Sequence, residues 1–78
     1  MNGSTVARLR MSHGMSQQQL ATAAGLSITT IWRVEHNKHP AKLETLAAIA
    51  GAFGIGVDVL LAEARRDTEQ ATANEVAS

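Results

Sequence analysis

The sequence contains no cysteine. Neither a disulfide framework nor a thiolate metal site can hold the chain together, so its stability must come from packing, as suits a reducing compartment. Long apolar runs are missing too. The opening MNGSTVARLR has no apolar core of signal-peptide length, and no later stretch approaches the roughly 20 apolar residues of a membrane span. These features predict a soluble, cytoplasmic protein with no membrane association. At 78 residues the chain is one domain, with a small core and no room for a deep catalytic cleft beside it. Catalytic constellations are equally thin. Ser12, His13 and Ser16 lie close in sequence, but no orienting acid or oxyanion loop accompanies them. His36 and His39 stand three apart without a carboxylate or Cys to complete a metal-ligand set. The expectation is therefore no enzyme, no cofactor and no metal.

Net charge is also lacking, since the formal value is zero, yet the charges are unevenly placed. The first 42 residues carry Arg8, Arg10, Arg33, Lys38 and Lys42 against Glu35 alone, together with every histidine. The remainder carries Arg65 and Arg66 against Glu44, Asp58, Glu63, Asp67, Glu69 and Glu75. A basic half joined to an acidic half predicts that the first half meets an anion.

What is present reads as short helices. Ser4 is a possible N-cap for a first helix that places Val6, Leu9 and Arg10 on one side and ends at Gly14. In MSQQQLATAA, Ser16 and Gln19 form a capping box, and Met15 and Leu20 are spaced as a hydrophobic staple. Gly25 stops this second helix. Ser27 can cap a third, with Leu26 and Ile31 repeating the staple spacing.

The third segment, SITTIWRVE, conflicts with its own local propensity, because most of its residues are β-branched or aromatic. A strand here would have no partner, and an unpaired strand is not stable. The start signals and the helical period favour a helix in which Ile31 and Val34 face inward. Ser27, Ile28, Thr29, Trp32, Arg33 and His36 then share the outer arc. A slightly rotated helix would instead bury Trp32. Asn37 suits a left-handed cap, and Pro40 prevents continuation. From Leu43, the residues Leu46, Ile49, Ala50 and Phe53 mark a fourth helix. A fifth starts near Gly56 or Val57, with Ile55 and Leu60 at staple positions and Val59 available to the core. The domain should span residues 1–64. The fifth helix should end near Arg66, and residues 65–78, which hold only Val76 as a large apolar residue, should form a frayed or disordered tail.

Two short helices joined by a Gly-containing turn make a helix-turn-helix. Here Leu20, Ala24, Leu26, Ile31 and Val34 supply its internal core, Ala21 is small at the helix crossing, and Gly25 sits in the turn. The pattern from Val6 to Leu61, through MSQQQLATAAGLSITTIWRVEHNK and LETLAAIAGAFGIGVDVLL, resembles the phage-repressor-like helix-turn-helix family of the Cro and lambda repressor type. The resemblance implies an all-α, compact five-helix lambda-repressor-like domain that binds double-stranded DNA. It implies base reading by Gln17, Ser27, Ile28, Thr29, Trp32 and Arg33, and phosphate contacts from Gln18, His36, Asn37, Lys38 and Lys42. It also implies a structural ion pair between Arg10 and Glu35, and homodimer contacts through Val57 and Leu61. Asn37 stands where the family usually has Gly, Gly56 where it usually has a capping Ser, and the fourth helix lacks a Ser, Thr, Asp or Asn cap.

Chemistry gives these roles independent sense. Arg33 can donate a fork of hydrogen bonds to guanine, and Ile28 with the Thr29 methyl suits a thymine methyl. The expected function is a sequence-specific transcriptional regulator, a dimeric repressor of a two-fold operator. The competing expectation is a protein-interaction module, such as an antitoxin that also binds its own promoter, with a toxin or inducer as protein partner.

Overall fold

A computed structural model describes residues 3–36 and 41–77, and the side chains of residues 5–36 and 41–67. The described residues form α1 (Gly3–Ser12), α2 (Gln17–Ala24), α3 (Ile28–His36), α4 (Leu43–Ala52) and α5 (Val57–Ala77), with no strand among them.

Local chemistry sets the start and stop of α2. The Ser16 Oγ accepts from the Gln19 backbone N–H at 3.0 Å, and the Gln19 Oε1 accepts from the Ser16 N–H at 2.7 Å. This reciprocal cap satisfies two of the donors that a helix start leaves unpaired. At the other end Gly25 adopts φ 68°, ψ 30°, which lets the Leu26 N–H reach the Ala21 carbonyl at 2.9 Å and turns the chain sharply. A side chain at this left-handed position would be strained, and Gly is not. Ser27 then caps α3, its Oγ accepting from the Thr30 N–H at 3.1 Å. The β-branched segment is therefore helical: its start is capped, and packing of Ile31 and Val34 outweighs the weak helix propensity.

Val6, Leu20, Ala21, Ile31, Leu46, Ile49, Ala50, Phe53 and Leu60 form one buried cluster to which every helix contributes. Leu9, Met15, Leu26, Val34, Ile55 and Val57 close its edges. α1 packs on α3 and α5, α2 on α3 and α4, and α4 on α5, the last pair meeting at 97°. Among the described residues no single helix is long and apolar enough to cross a membrane.

Several expectations need correction. Ser4 lies inside α1, which starts at Gly3, so it is not the N-cap. Ala24 is only half-buried, at the margin of the helix-turn-helix core. Val59 is 44% exposed, and the inward positions of α5 are Leu60 and Ala64. Most clearly, α5 does not end near Arg66. Its backbone is helical to Ala77, which draws the molecule out to 39 × 23 × 21 Å. The stretch is too polar for a core, but its Ala, Glu, Gln and Arg are good helix formers with no Gly or Pro between them. The link at 37–40, with its expected Asn37 cap, lies outside the described residues.

Candidate nucleic-acid interface

The start of α2 and the outward side of α3 form one continuous surface. It is held in place from behind by Arg10, the last basic residue of α1. The Arg10 guanidinium donates from Nε to Glu35 Oε2 at 2.8 Å, from Nη2 to Glu35 Oε1 at 3.2 Å, and from Nη1 to the Met15 carbonyl at 2.8 Å. Gln17 adds a fourth bond, Nε2 donating to Glu35 Oε1 at 3.2 Å. The two charged side chains are only 15% and 4% exposed. One planar fork thus ties together α1, the turn before α2, and the last turn of α3. Such a bidentate pair fixes orientation as well as charge. Its second effect is electrostatic: the only carboxylate of α2 and α3 is withdrawn from the surface and neutralised.

On the outward side, Trp32 is 53% exposed and Ile28 44% exposed, alongside exposed Ser27, Thr29, Arg33 and His36. Trp32 is therefore not a core residue, and the rotated alternative for α3 does not hold. The indole stacks on the His36 imidazole with centroids 4.3 Å apart and planes 17° from parallel. His36 Nδ1–H donates to the Trp32 carbonyl at 2.9 Å. Arg33 has no protein partner among the described residues. The Ser27 hydroxyl is engaged with Thr30, its Oγ lying 2.9 Å from Thr30 Oγ1. Gln18 is exposed, its Nε2 donating to Thr22 Oγ1 at 3.2 Å. Lys42 is exposed at the N-terminus of α4, where it makes no side-chain cap. Asn37 and Lys38 lie outside the described residues. Between α2 and α3, Gln17, Ile28, Thr29 and Trp32 line an open concavity of about 280 Å³.

The charges of α1, α4 and α5 are arranged differently. Arg8 on α1 binds Glu63 at 2.8 Å and Asp67 at 3.1 Å, one turn apart on α5. Glu44 on α4 and Asp58, Arg65 and Arg66 on α5 are exposed. The α2–α3 face thus presents Arg33 with no free carboxylate, whereas α4 and α5 carry charges of both signs. The α2–α3 face offers hydrogen-bond donors, an aromatic surface and an unpaired guanidinium, a set suited to a polyanion with apolar and polar edges.

Three features had not been read from the sequence: the bond from Gln17 to Glu35, the Arg8 clamp, and a stack of His13 on Phe53 with centroids 5.0 Å apart. The carboxylates at 63 and 67 do share one helical face, which was a usable signal for the clamp.

A helix-turn-helix family model matches residues 6–60. The chain belongs to the helix-turn-helix family. This helix-turn-helix chain is 34% identical over 61 residues to an immunity repressor protein of Bacillus phage phi105. That match covers 78% of the chain and 42% of the phage protein, so the chain spans less than half the length of this curated relative. Among solved structures it is similar to the restriction-modification controller protein C.AhdI from Aeromonas hydrophila, with 29% identity, TM-score 0.68, and coverage of 74% of this chain and 88% of that one. It is also similar to the clp gene regulator ClgR from Corynebacterium glutamicum, with 26% identity, TM-score 0.79, and coverage of 96% and 81%. The expected all-α, five-helix repressor-like fold is the observed one.

Proposed function

We propose that the chain is a sequence-specific DNA-binding transcriptional regulator that lays α3 in the major groove and represses from a two-fold operator as a homodimer. The observation that carries this reading is the composition of the α2–α3 face: exposed Arg33, Trp32, Ile28 and Thr29, with Glu35 buried and neutralised behind them. Family membership supports it, as do relatives named as a repressor, a controller protein and a gene regulator.

In this reading Gln17, Ser27, Ile28, Thr29, Trp32 and Arg33 meet base edges. Arg33 forks to guanine O6 and N7, the commonest specific contact. Gln18, His36 and Lys42, with Asn37 and Lys38 of the adjoining link, hold phosphates and set register without specifying sequence. The bond from Gln17 to Glu35 makes Gln17 a pre-oriented member of this set. One such domain buries only about 600–1,000 Å² on DNA, and pairing two copies supplies the remaining specificity. Leu61, 42% exposed on α5, is the natural centre of a self-association surface; neighbouring Val57 packs partly against its own core and lends only an edge.

The test is selection of bound duplexes from a random pool, followed by footprinting of the enriched sequence. The reading expects a site with dyad symmetry and half-sites about one helical turn apart. Recovery of no enriched sequence at low salt contradicts DNA binding. An enriched site without dyad symmetry contradicts the dimer alone.

A further inference from the structure

We infer that DNA binding by this chain is coupled to the uptake of a proton at His36, so that the operator is held more tightly as the pH falls through neutrality. The inference rests on the DNA-binding reading above and adds a means of regulating that same face. His36 ends α3 and is exposed, its ring stacked on the Trp32 indole with centroids 4.3 Å apart and planes 17° from parallel. Its Nδ1 lies 2.9 Å from the Trp32 carbonyl oxygen. A carbonyl oxygen only accepts, so Nδ1 carries the hydrogen, and in the neutral ring Nε2 is a bare acceptor. The oxygens of a phosphodiester only accept as well. Neutral His36, held in this way, has no donor to offer a DNA phosphate, and the contact forms only when Nε2 takes up a proton.

Two features of α3 favour that proton. His36 lies in the last turn, where the helix dipole is negative, and the face of the Trp32 indole attracts a cation. The other charges around the ring supply no free anion. On α3 itself Arg33 opposes protonation, while Glu35 is 4% exposed and bound by Arg10 and Gln17. Of the helices packed on α3, α1 carries Arg8 and Arg10, both paired with carboxylates, and α2 carries no charged side chain. His13, in the turn after α1, is stacked on Phe53, and Lys38 and His39 belong to the link outside the described residues. A phosphate brought against Nε2 is therefore the anion that shifts the balance toward the imidazolium. The complex then holds the proton more tightly than the free protein does. Affinity is accordingly highest at low pH and is lost as the pH rises through the range in which the bound ring titrates. An imidazole ordinarily titrates near about 6.5, which places the change between about pH 6 and about pH 8. Arg33 stays charged throughout, so sequence preference is unaffected.

The test is calorimetric titration of the full chain with the duplex enriched from a random pool, in phosphate and in Tris, two buffers of different ionisation enthalpy. The difference in apparent binding enthalpy counts the protons taken up. Net uptake approaching one proton per subunit is expected near neutral pH, with affinity about tenfold weaker per subunit at about pH 8 than at about pH 6, the worth of one charge-assisted hydrogen bond. His36→Gln, whose amide donates without titrating, should remove both the uptake and the pH dependence. His36→Lys, a permanent cation, should likewise bind without proton uptake, and thermal melting confirms that both variants fold. His13→Gln and His39→Gln should keep the uptake. Sequence-specific binding with no proton uptake and equal affinity at both pH values overturns the coupling while leaving DNA recognition intact. Uptake that survives His36→Gln overturns it as well. If no duplex is enriched at either pH, the DNA-binding reading itself fails and the coupling falls with it.

Discussion

Replacing Arg10 by Ala removes three hydrogen bonds at once and leaves the Glu35 carboxylate, 4% exposed, with the Gln17 amide at 3.2 Å as its one remaining side-chain donor. Breaking a buried ion pair from one side costs about 3–5 kcal/mol, because the surviving charge stays out of water without compensation. Arg10 retains 15% side-chain exposure, so the lower end, about 3 kcal/mol, is the appropriate figure. For a domain of this size each kcal/mol moves the melting temperature by roughly 4–8 °C, giving a fall of about 12–24 °C. Thermal melting followed by circular dichroism in the far ultraviolet reads this directly. A second variant separates charge from packing. In Arg10→Met/Glu35→Leu both charges are gone and the volume is largely kept, so much of the lost stability should return. A fall of less than about 4 °C for Arg10→Ala, within the effect of about 1 kcal/mol, would refute the claim that this pair holds the α2–α3 face in place.

Arg8→Ala provides the contrast, since the Arg8 side chain is 47% exposed and its pairs with Glu63 and Asp67 lie at the surface. Its loss should cost no more than about 1 kcal/mol and shrink further in high salt, as melting at two ionic strengths would show. Thr5 is fully buried, and its Oγ1 has no hydrogen-bond partner among the described residues. Thr5→Val keeps the shape and removes a hydroxyl whose unpaired burial costs about 1–3 kcal/mol, so the melting temperature should rise; a fall indicates that the hydroxyl is satisfied in solution. Arg33→Ala should weaken operator binding by about 1–3 kcal/mol and relax preference at one base pair of each half-site. Equal weakening on every sequence in a competition assay makes Arg33 a phosphate contact instead.

Much of the helix-turn-helix was legible because its signals are local. Ser16 with Gln19, Gly25 and Ser27 mark the ends of α2 and the start of α3 within a few residues of each other, and all three sites adopt the expected cap or turn. The inward placement of Ile31 and the exposure of Trp32 followed from counting helical positions from Ser27. Contacts between distant segments were harder to read. His13 stacks on Phe53, 40 positions away, and nothing near either one signals the other. The register of α5 went astray at Val59, since Val57, Val59, Leu60 and Leu61 are all apolar and only packing on α1 and α4 selects Leu60 and Ala64. Beyond Arg66 the absence of core residues was read as an absence of helix, although helix propensity and burial are separate quantities. For the interface, the structure brings Gln17, Ile28, Thr29 and Trp32 together around one concavity, while roles on DNA follow from family resemblance and side-chain chemistry.

Trp32 permits the most direct test of the claim that the outward side of α3 meets DNA, because it is the only tryptophan in the chain and lines the concavity of that surface. With 53% exposure, its emission in the free protein should be water-like and readily quenched by acrylamide, a neutral quencher unaffected by the charge of DNA. Titration with the enriched duplex should change the intensity and shield the indole from acrylamide. Added salt should reverse both effects, since each phosphate neutralised contributes about −0.9 to the slope of log K against log salt. Emission and quenching that stay unchanged while the duplex demonstrably binds would contradict the account, because DNA would then be held by a surface other than α3.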